Sequence, residues 1–120
     1  MNDLATLDTA TISEMKELMG NNFNEMVKFY LEDADSYLGA VQKGCAENNV
    51  EEIVRPAHTL KSASRQMGAM KLGELSEKME RSAKEAIEKG DGAESLQAIL
   101  PLLTEELGAV KSAITTFIEQ

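Results

Sequence analysis

The sequence contains a single histidine, His58, and its neighbours suit chemistry on an anion. An imidazole can act as a nucleophile near neutral pH and can take up an electrophilic group such as a phosphoryl group. On a helix, Lys61 would lie one turn further along, where its ammonium could hold an anion carried by the ring. Ser62 follows, and its small side chain leaves room for a second protein to approach. The spacing therefore indicates a histidine that carries an anionic group, although a merely solvated histidine would look similar.

A helical wheel places His58 on the outer face of its helix. The stripe that the wheel assigns to the core lies about 140° away from His58 and consists of Ile53, Ala57, Leu60, Ser64 and Met67. The outer face also carries Val54, Arg55 and Arg65. We therefore expect the imidazole to face solvent, among residues that a partner protein would contact.

The next predicted helix brings a carboxylate to the level of the histidine. His58 lies roughly ten residues before the turn at Gly68 and Glu80 roughly eleven after it, with a rise of about 1.5 Å per residue on both sides. Glu80 could accept a hydrogen bond from one ring nitrogen and leave the other nucleophilic. Alternatively, it could pair only with Lys84 on its own helix. The sequence leaves both possibilities open.

Charge is distributed unevenly along an acidic chain. The formal net charge is −9, yet residues 55–73, here named the basic segment, hold four cations and no acid: Arg55, Lys61, Arg65 and Lys71. The only histidine lies within this segment, which suggests an acidic partner surface; a solvated helix face is the alternative. The negative total argues against general nucleic-acid binding, because a phosphate backbone would be repelled.

Apolar residues recur at steps of three or four in four long segments, as in amphipathic helices. These segments run over residues 23–45, 53–67, 72–86 and 96–117, and a shorter one over residues 12–19 precedes them. Short turn signals separate the segments, so sequential helices should be antiparallel neighbours. The sequence predicts an all-α fold: an antiparallel up-down-up-down four-helix bundle with a short N-terminal helix.

Several local features refine this prediction. Residues 1–120 should form a single domain, in which residues 1–10 are a flexible or extended lead-in. Asn48-Asn49 is expected to end one helix and cap the next. Pro56 should be tolerated if it lies in the first turn of its helix, whereas Pro101 should lie inside the fourth helix and kink it.

Composition also bears on location and assembly. Cys45 lies on a core stripe and is expected to be a buried small hydrophobe, with no disulfide possible inside the chain. No apolar run approaches the roughly 20 residues that span a bilayer, and the N-terminus lacks a basic region followed by an apolar stretch. We therefore expect a cytoplasmic protein. A monomer is expected, since four helices already complete a core.

The run His58-Thr59-Leu60-Lys61-Ser62-Ala63-Ser64, followed by Met67-Gly68-Ala69, resembles the signature of histidine-containing phosphotransfer (HPt) domains. The family signature has histidine, leucine and lysine at these spacings, then glycine and two small residues, then an apolar residue before a second glycine. HPt domains have about this length and form four-helix bundles with a short leading helix. Ser62 is the one departure, because the family most often has glycine there.

The resemblance implies a two-component phosphorelay. His58 would accept a phosphoryl group from an aspartyl phosphate on a receiver domain and give it to another receiver. Lys61 would neutralise phosphate charge and Ser62 would allow close docking. The implied partners are receiver domains of response regulators or a hybrid sensor histidine kinase. The chain itself would hold no cofactor, because Mg²⁺ and the acidic pocket belong to the receiver.

Further residues are candidates for partner docking. On the histidine helix these are Val54, Arg55 and Arg65, and the leading helix would supply an apolar rim from Ile12, Met15, Leu18 and Met19. The leading-helix residues could instead simply cap the core.

Two other classes of function remain for comparison. A histidine kinase that consumes ATP is disfavoured, because the residues after Ala93 offer neither a Gly-rich phosphate loop nor an α/β pattern. An adaptor bundle in which His58 is never phosphorylated is the remaining alternative.

Overall fold

Residues 5–119, which the computed structural model describes, form five α-helices. The helices are α1 (Thr9–Met19), α2 (Phe23–Ala46), α3 (Glu51–Gln66), α4 (Met70–Lys89) and α5 (Leu100–Glu119). Each of the four long helices contacts the next, and α5 returns to α2, so together they enclose one core. The short α1 lies against α2. The predicted all-α four-helix bundle with a short leading helix is confirmed.

The core is built from the apolar stripes that the sequence shows. Fully buried side chains come from every helix and include Ile12, Phe23, Ile53, Leu60, Leu72, Met79, Leu103 and Ile114. Burying a side chain of this size contributes about 1.5–3 kcal/mol, so the stripes supply the main driving force for folding. Cys45 is buried among them as expected, and burial raises the pKa of its thiol.

One polar pair lies inside this core. The hydroxyl of Ser64, on the inner stripe of α3, is 2.7 Å from the Tyr30 hydroxyl of α2. Burial raises the pKa of Tyr30 to about 12, and the hydrogen bond to Ser64 acts in the opposite direction. Because each hydroxyl satisfies the other, the pair avoids the cost of an unpaired buried polar group. It also fixes the register of α2 against the histidine helix.

The α3–α4 turn is tight and is tied to the beginning of the chain. Gly68 has a φ of +81°, a conformation that favours glycine, and its carbonyl accepts a hydrogen bond of 2.7 Å from the Asp8 amide. The Asp8 side chain caps α1 by accepting from the amides of Ala10 and Thr11. Helix α1 therefore begins at Thr9 and includes the last two residues of the predicted lead-in. Residues 1–4 of that lead-in lie outside the described residues.

The α2–α3 connection differs in part from its prediction. Asn48 lies in the turn that follows α2 and adopts a left-handed conformation, with a φ of 55°, as expected of a turn residue. Neither asparagine caps α3, which is preceded by Val50 and has no side-chain capping bond. The Asn48 side chain instead accepts a 2.7 Å hydrogen bond from the amide of Ala93. Asn48, which the sequence suggested as a helix cap, thus connects the α2–α3 turn to the turn before α5.

The two prolines occupy different positions from those predicted. Pro101 is the second residue of α5, within the first turn, so its missing N–H is not needed there. The prediction of a fourth helix from residue 96 was wrong because a 3₁₀ turn (Ala93–Leu96) and Ile99 also bury apolar side chains and extend the periodic pattern. Pro56 is the sixth residue of α3, beyond the first turn, and leaves the Glu52 carbonyl without its usual helical donor.

No helix in the described part of the chain is both long enough and apolar enough to cross a membrane.

Candidate functional site

His58 lies on the outer face of α3, and its side chain is 56% exposed. The buried residues of the helix, including Ala57 and Leu60, anchor the opposite face in the core. The Nδ1 atom is 2.9 Å from Oε2 of Glu80 on α4. Nε2, the other ring nitrogen, has no hydrogen-bond partner among residues 5–119. Glu80 of α4 therefore holds the ring at Nδ1 and leaves Nε2 of this exposed side chain without a partner among the described residues.

Glu80 is the buried centre of this arrangement, with 5% of its surface exposed. Its Oε1 atom accepts a 2.9 Å hydrogen bond from the Lys61 ammonium of α3, and its Oε2 atom lies 3.1 Å from the Lys84 ammonium of α4. Of the two possibilities left open by the sequence, the contact with His58 is the one that forms, and pairing with Lys84 alone is excluded because Oε2 contacts both side chains. We name these four residues, His58, Lys61, Glu80 and Lys84, the histidine cluster.

The carboxylate of Glu80 is ionised throughout the physiological range. Burial acts to raise its pKa, but the hydrogen bonds from Lys61, Lys84 and His58 outweigh burial and lower the pKa to about 2. An ionised carboxylate can only accept hydrogen bonds. In the neutral imidazole, Nδ1 must therefore carry the proton and donate it to Glu80, which leaves the lone pair on Nε2.

The lowered pKa of Glu80 has a consequence for acid stability. Its folded value of about 2 lies below the ordinary value of 4.5, so the carboxylate contributes stability above about pH 4.5 that is lost as the pH falls towards 2. The difference corresponds to about 3 kcal/mol at most. We expect Glu80→Gln to be less stable than the wild type at pH 7, with a gap that closes near pH 2. Denaturant unfolding across this range measures it.

Glu85→Gln is the matched control for acid stability, since Glu85 is an exposed carboxylate on the same helix. Its unfolding free energy should follow that of the wild type at every pH. A gap between Glu80→Gln and the wild type that stayed constant from pH 7 to pH 3 would contradict the assigned role of the ionised carboxylate.

A glycine lets α3 and α4 approach closely beside the histidine cluster. A Cβ atom on Gly73 would lie 2.7 Å from Cγ of Arg65 and 3.4 Å from the Lys61 carbonyl oxygen. The absence of that atom allows the Arg65 stem to cross α4, where its guanidinium lies 3.5 Å from Glu74 and from Glu77. Gly73 is therefore a packing feature that brings the two helices of the site together.

Acidic residues outside the basic segment lie close to its cations in the folded protein and reduce its local positive charge. Lys61 pairs with Glu80, Arg65 with Glu74 and Glu77, and the ammonium of Lys71 is 3.9 Å from the buried Glu106. Acids of the following helices thus offset three of its four cations. Arg55 is exposed on the outer face of α3, and Val54 beside it is partly buried. Ser62 is exposed, one turn from His58.

An apolar groove of about 440 Å³ lies between α1, α2 and the α2-facing side of α3. Met15 and Met19 line it, as do Leu18 and Phe29, whose side chains are 88% and 55% exposed. Ile12 does not belong to this surface. It is fully buried in the core, so the prediction that it forms part of a docking rim was wrong. The 3.6-residue period turns Ile12 inward while Leu18 points out.

Sequence reasoning overlooked one part of this groove. Phe29 and Tyr37 come from α2 and lie beside the methionines of α1, and the α3 residue Ala63 lines the same groove next to Ser62 in the chain. Phe29 carried a usable signal, because it lies off the buried stripe of its helix and a large exposed aromatic side chain is uncommon.

Fold and site together define a four-helix-bundle domain with one exposed histidine held by a buried carboxylate. The sequence matches the family model of the Hpt domain over residues 25–113. The chain therefore belongs to the HPt family, the phosphotransfer domains of two-component signalling. HPt domains interact with receiver domains and histidine kinases, and they are phosphocarrier modules without kinase activity.

Two solved structures share the fold. Histidine-containing phosphotransfer protein B from Pseudomonas aeruginosa is 18% identical, with a TM-score of 0.85 and 95% of each chain covered. The HPT domain of an Hpt sensor hybrid histidine kinase from Shewanella is 24% identical, with a TM-score of 0.77, over 98% of this chain and 97% of that one. No curated protein matches the chain significantly. At these identities the structural similarity supports the fold alone.

Proposed function

We propose that His58 is the phosphorylated residue and that the domain relays a phosphoryl group from one receiver domain to another. The observation that carries the proposal is the hydrogen bond of 2.9 Å between Nδ1 of His58 and the buried Glu80. An ionised carboxylate at this position favours the tautomer with the lone pair on Nε2. The exposed nitrogen is then a nucleophile that a partner can reach.

The transfer step balances without a cofactor on this chain. The Nε2 lone pair attacks the phosphorus of an aspartyl phosphate on the receiver, forming a P–N bond. The P–O bond to the aspartate breaks, and its electron pair leaves with the carboxylate. The Nδ1 proton stays in its hydrogen bond to Glu80 throughout. Transfer to the second receiver reverses these steps, with imidazole as the leaving group.

Lys61 and Ser62 would assist at the reacting nitrogen. An ammonium has three donors, so Lys61 can hold Oε1 of Glu80 and still direct a proton towards a phosphoryl group. Phosphoryl transfer depends on positioning and charge neutralisation more than on covalent machinery. Mg²⁺ would be held by the receiver, next to its own aspartate. Ser62, small and exposed, would let the receiver approach the ring closely.

The apolar groove is the proposed docking surface for the receiver. Its exposed apolar side chains on α1 and α2 lie beside the α3 residue Ala63, next to Ser62. Exposed apolar groups of this kind usually mark a protein contact. Arg55, Val54 and Arg65 would contact the rim of the receiver around its acidic pocket.

A substitution in the groove should weaken docking without disturbing the bundle. Because the Leu18 side chain is 88% exposed, Leu18→Asp removes apolar contact area and adds a charge without opening the core. We expect the dissociation constant for a receiver domain to rise about tenfold or more.

Titration calorimetry measures this dissociation constant, with Leu102→Asp as the control. Leu102 is 48% exposed on α5, and this variant should bind like the wild type. Equal weakening by both variants would reject the groove as the docking site.

Cytoplasmic location and a monomeric state stay predictions of the sequence. So does the expectation that the chain carries, but does not itself generate, the phosphoryl group.

A two-receiver relay assay tests the proposed function. One receiver domain is charged with acetyl phosphate and Mg²⁺, separated from the donor, and mixed with the protein and a second receiver. We expect label on the protein first and on the second receiver afterwards. A receiver that binds the protein but leaves it unlabelled would favour the adaptor alternative and reject the relay. Addition of a chelator should stop both transfers, since the metal belongs to the receivers.

A further inference from the structure

Each oxygen of the Glu80 carboxylate is anchored by a different lysine. Lys61 of α3 holds Oε1 at 2.9 Å, whereas Lys84 of α4 lies 3.1 Å from Oε2, the oxygen that also contacts Nδ1 of His58. The carboxylate is therefore clamped from both helices. We propose that Lys84 is a positioning residue for His58, which acts by holding Oε2 of Glu80 where the ring nitrogen needs its acceptor. The inference rests on the proposed function of His58.

The exposure of the two residues argues that the contact has more than a stabilising role. The Lys84 side chain is 59% exposed, whereas that of Glu80 is 6% exposed. An exposed lysine paired at this spacing on a helix contributes little to the free energy of folding. Lys84 can nevertheless restrict the orientation of the Glu80 carboxylate, because that carboxylate is buried and has few alternative hydrogen-bond donors. Loss of Lys84 should thus affect geometry more than stability.

The expected defect follows from the rotational freedom of a glutamate carboxylate. Its terminal torsion is broad and roughly twofold, so hydrogen bonds alone fix its plane. Without Lys84, Lys61 is the one lysine of the histidine cluster that still contacts Glu80. The Lys61 ammonium can then donate to either carboxylate oxygen. Nδ1 of His58 then loses a fixed acceptor, and the proton distributes between the two ring nitrogens. The fraction of rings with a lone pair on Nε2 falls accordingly.

A single-histidine protein permits a direct test. Imidazole ¹⁵N shifts of histidine-labelled protein report the tautomer of His58, the one histidine in the sequence, with no partner and no phosphoryl donor present. The wild type should show Nδ1 protonated and Nε2 unprotonated in the neutral ring. In Lys84→Ala the two shifts should move towards each other, as expected for a tautomer mixture. Acceptance of phosphoryl groups should slow about threefold to tenfold.

Two further variants separate positioning from general effects. Lys84→Arg keeps a cation within reach of Oε2 and should restore the wild-type shifts. Lys78→Ala removes an exposed lysine two residues before Glu80, on another face of α4, and should leave the shifts unchanged. Amide fingerprint spectra should show all three variants folded. Wild-type shifts in Lys84→Ala would overturn the inference.

The ¹⁵N shifts and the transfer assay together distinguish a failure of the Lys84 contact from a failure of the proposed function. Displaced shifts in Lys84→Ala, combined with no phosphoryl transfer by the wild type, would reject the relay and retain the positioning contact. Normal transfer by the wild type, combined with undisturbed shifts in Lys84→Ala, would reject the positioning role of Lys84 and leave the relay intact.

Discussion

Replacement of His58 with glutamine is expected to reduce phosphoryl acceptance from a charged receiver by at least about a thousandfold, a loss of about 4 kcal/mol of transition-state stabilisation. Glutamine offers an amide in place of the ring nitrogen and has no nucleophilic lone pair. The ring is the single imidazole in the sequence, so another histidine cannot take over. The measurement is transfer of label from a phosphorylated receiver, followed over time for both proteins.

The fold should survive this change, which makes the result interpretable. His58 is 56% exposed, and the lysines of the histidine cluster still neutralise Glu80 when the ring is gone. Circular dichroism and thermal unfolding should therefore resemble those of the wild type. Label on the wild type should be labile in acid and stable in base, as expected for a phosphoramidate. Equal labelling of the two proteins would reject His58 as the carrier.

Removal of the Glu80 side chain is expected to produce the second largest effect. In Glu80→Ala, Nδ1 of His58 loses a charge-assisted hydrogen bond, and the two lysine ammonium groups lose the anion between them. A hydrogen bond of this kind contributes about 1.5–3 kcal/mol, which corresponds to a rate about 10- to 150-fold slower if the contact is lost in the transition state. Single-turnover transfer from a charged receiver measures the change.

Glu80→Gln separates the hydrogen bond from the charge. The amide oxygen of glutamine can still accept from Nδ1, although a neutral acceptor forms a weaker bond than a carboxylate. We expect its transfer rate to lie between those of the wild type and Glu80→Ala. Glu85→Ala, at an exposed position on the same helix, is the control and should transfer at the wild-type rate. Unchanged transfer by Glu80→Ala would remove Glu80 from the site, whatever its effect on stability.

The pattern of apolar residues was sufficient to predict the bundle and the outward direction of His58. A 3.6-residue period relates each side chain to a face of its helix, and burial of Ala57 and Leu60 fixes the opposite face. The short turn at Gly68 sets the register of α3 against α4, which is why Glu80 could be placed at the height of His58. These features depend on local sequence and on short connections.

Other features depend on contacts that periodicity does not encode. Helix geometry placed Glu80 at the level of His58 but could not show that Lys61 and Lys84 would hold it from both sides. It also could not show that Ile12 would be buried, because a short leading helix can lie against the bundle at several rotations. The charge of the basic segment was overestimated for a related reason, since Glu74 and Glu77 approach Arg65 across the helix interface.

In the proposed relay, Nε2 of His58 carries the phosphoryl group while Nδ1 remains hydrogen-bonded to Glu80. Imidazole-labelled protein, phosphorylated by a charged receiver, can be studied by ¹⁵N and ³¹P NMR. We expect one phosphoramidate, with phosphorus coupled to Nε2 of His58 and a proton retained on Nδ1. Phosphorus on Nδ1, or a phosphoryl group on a residue other than His58, would contradict it.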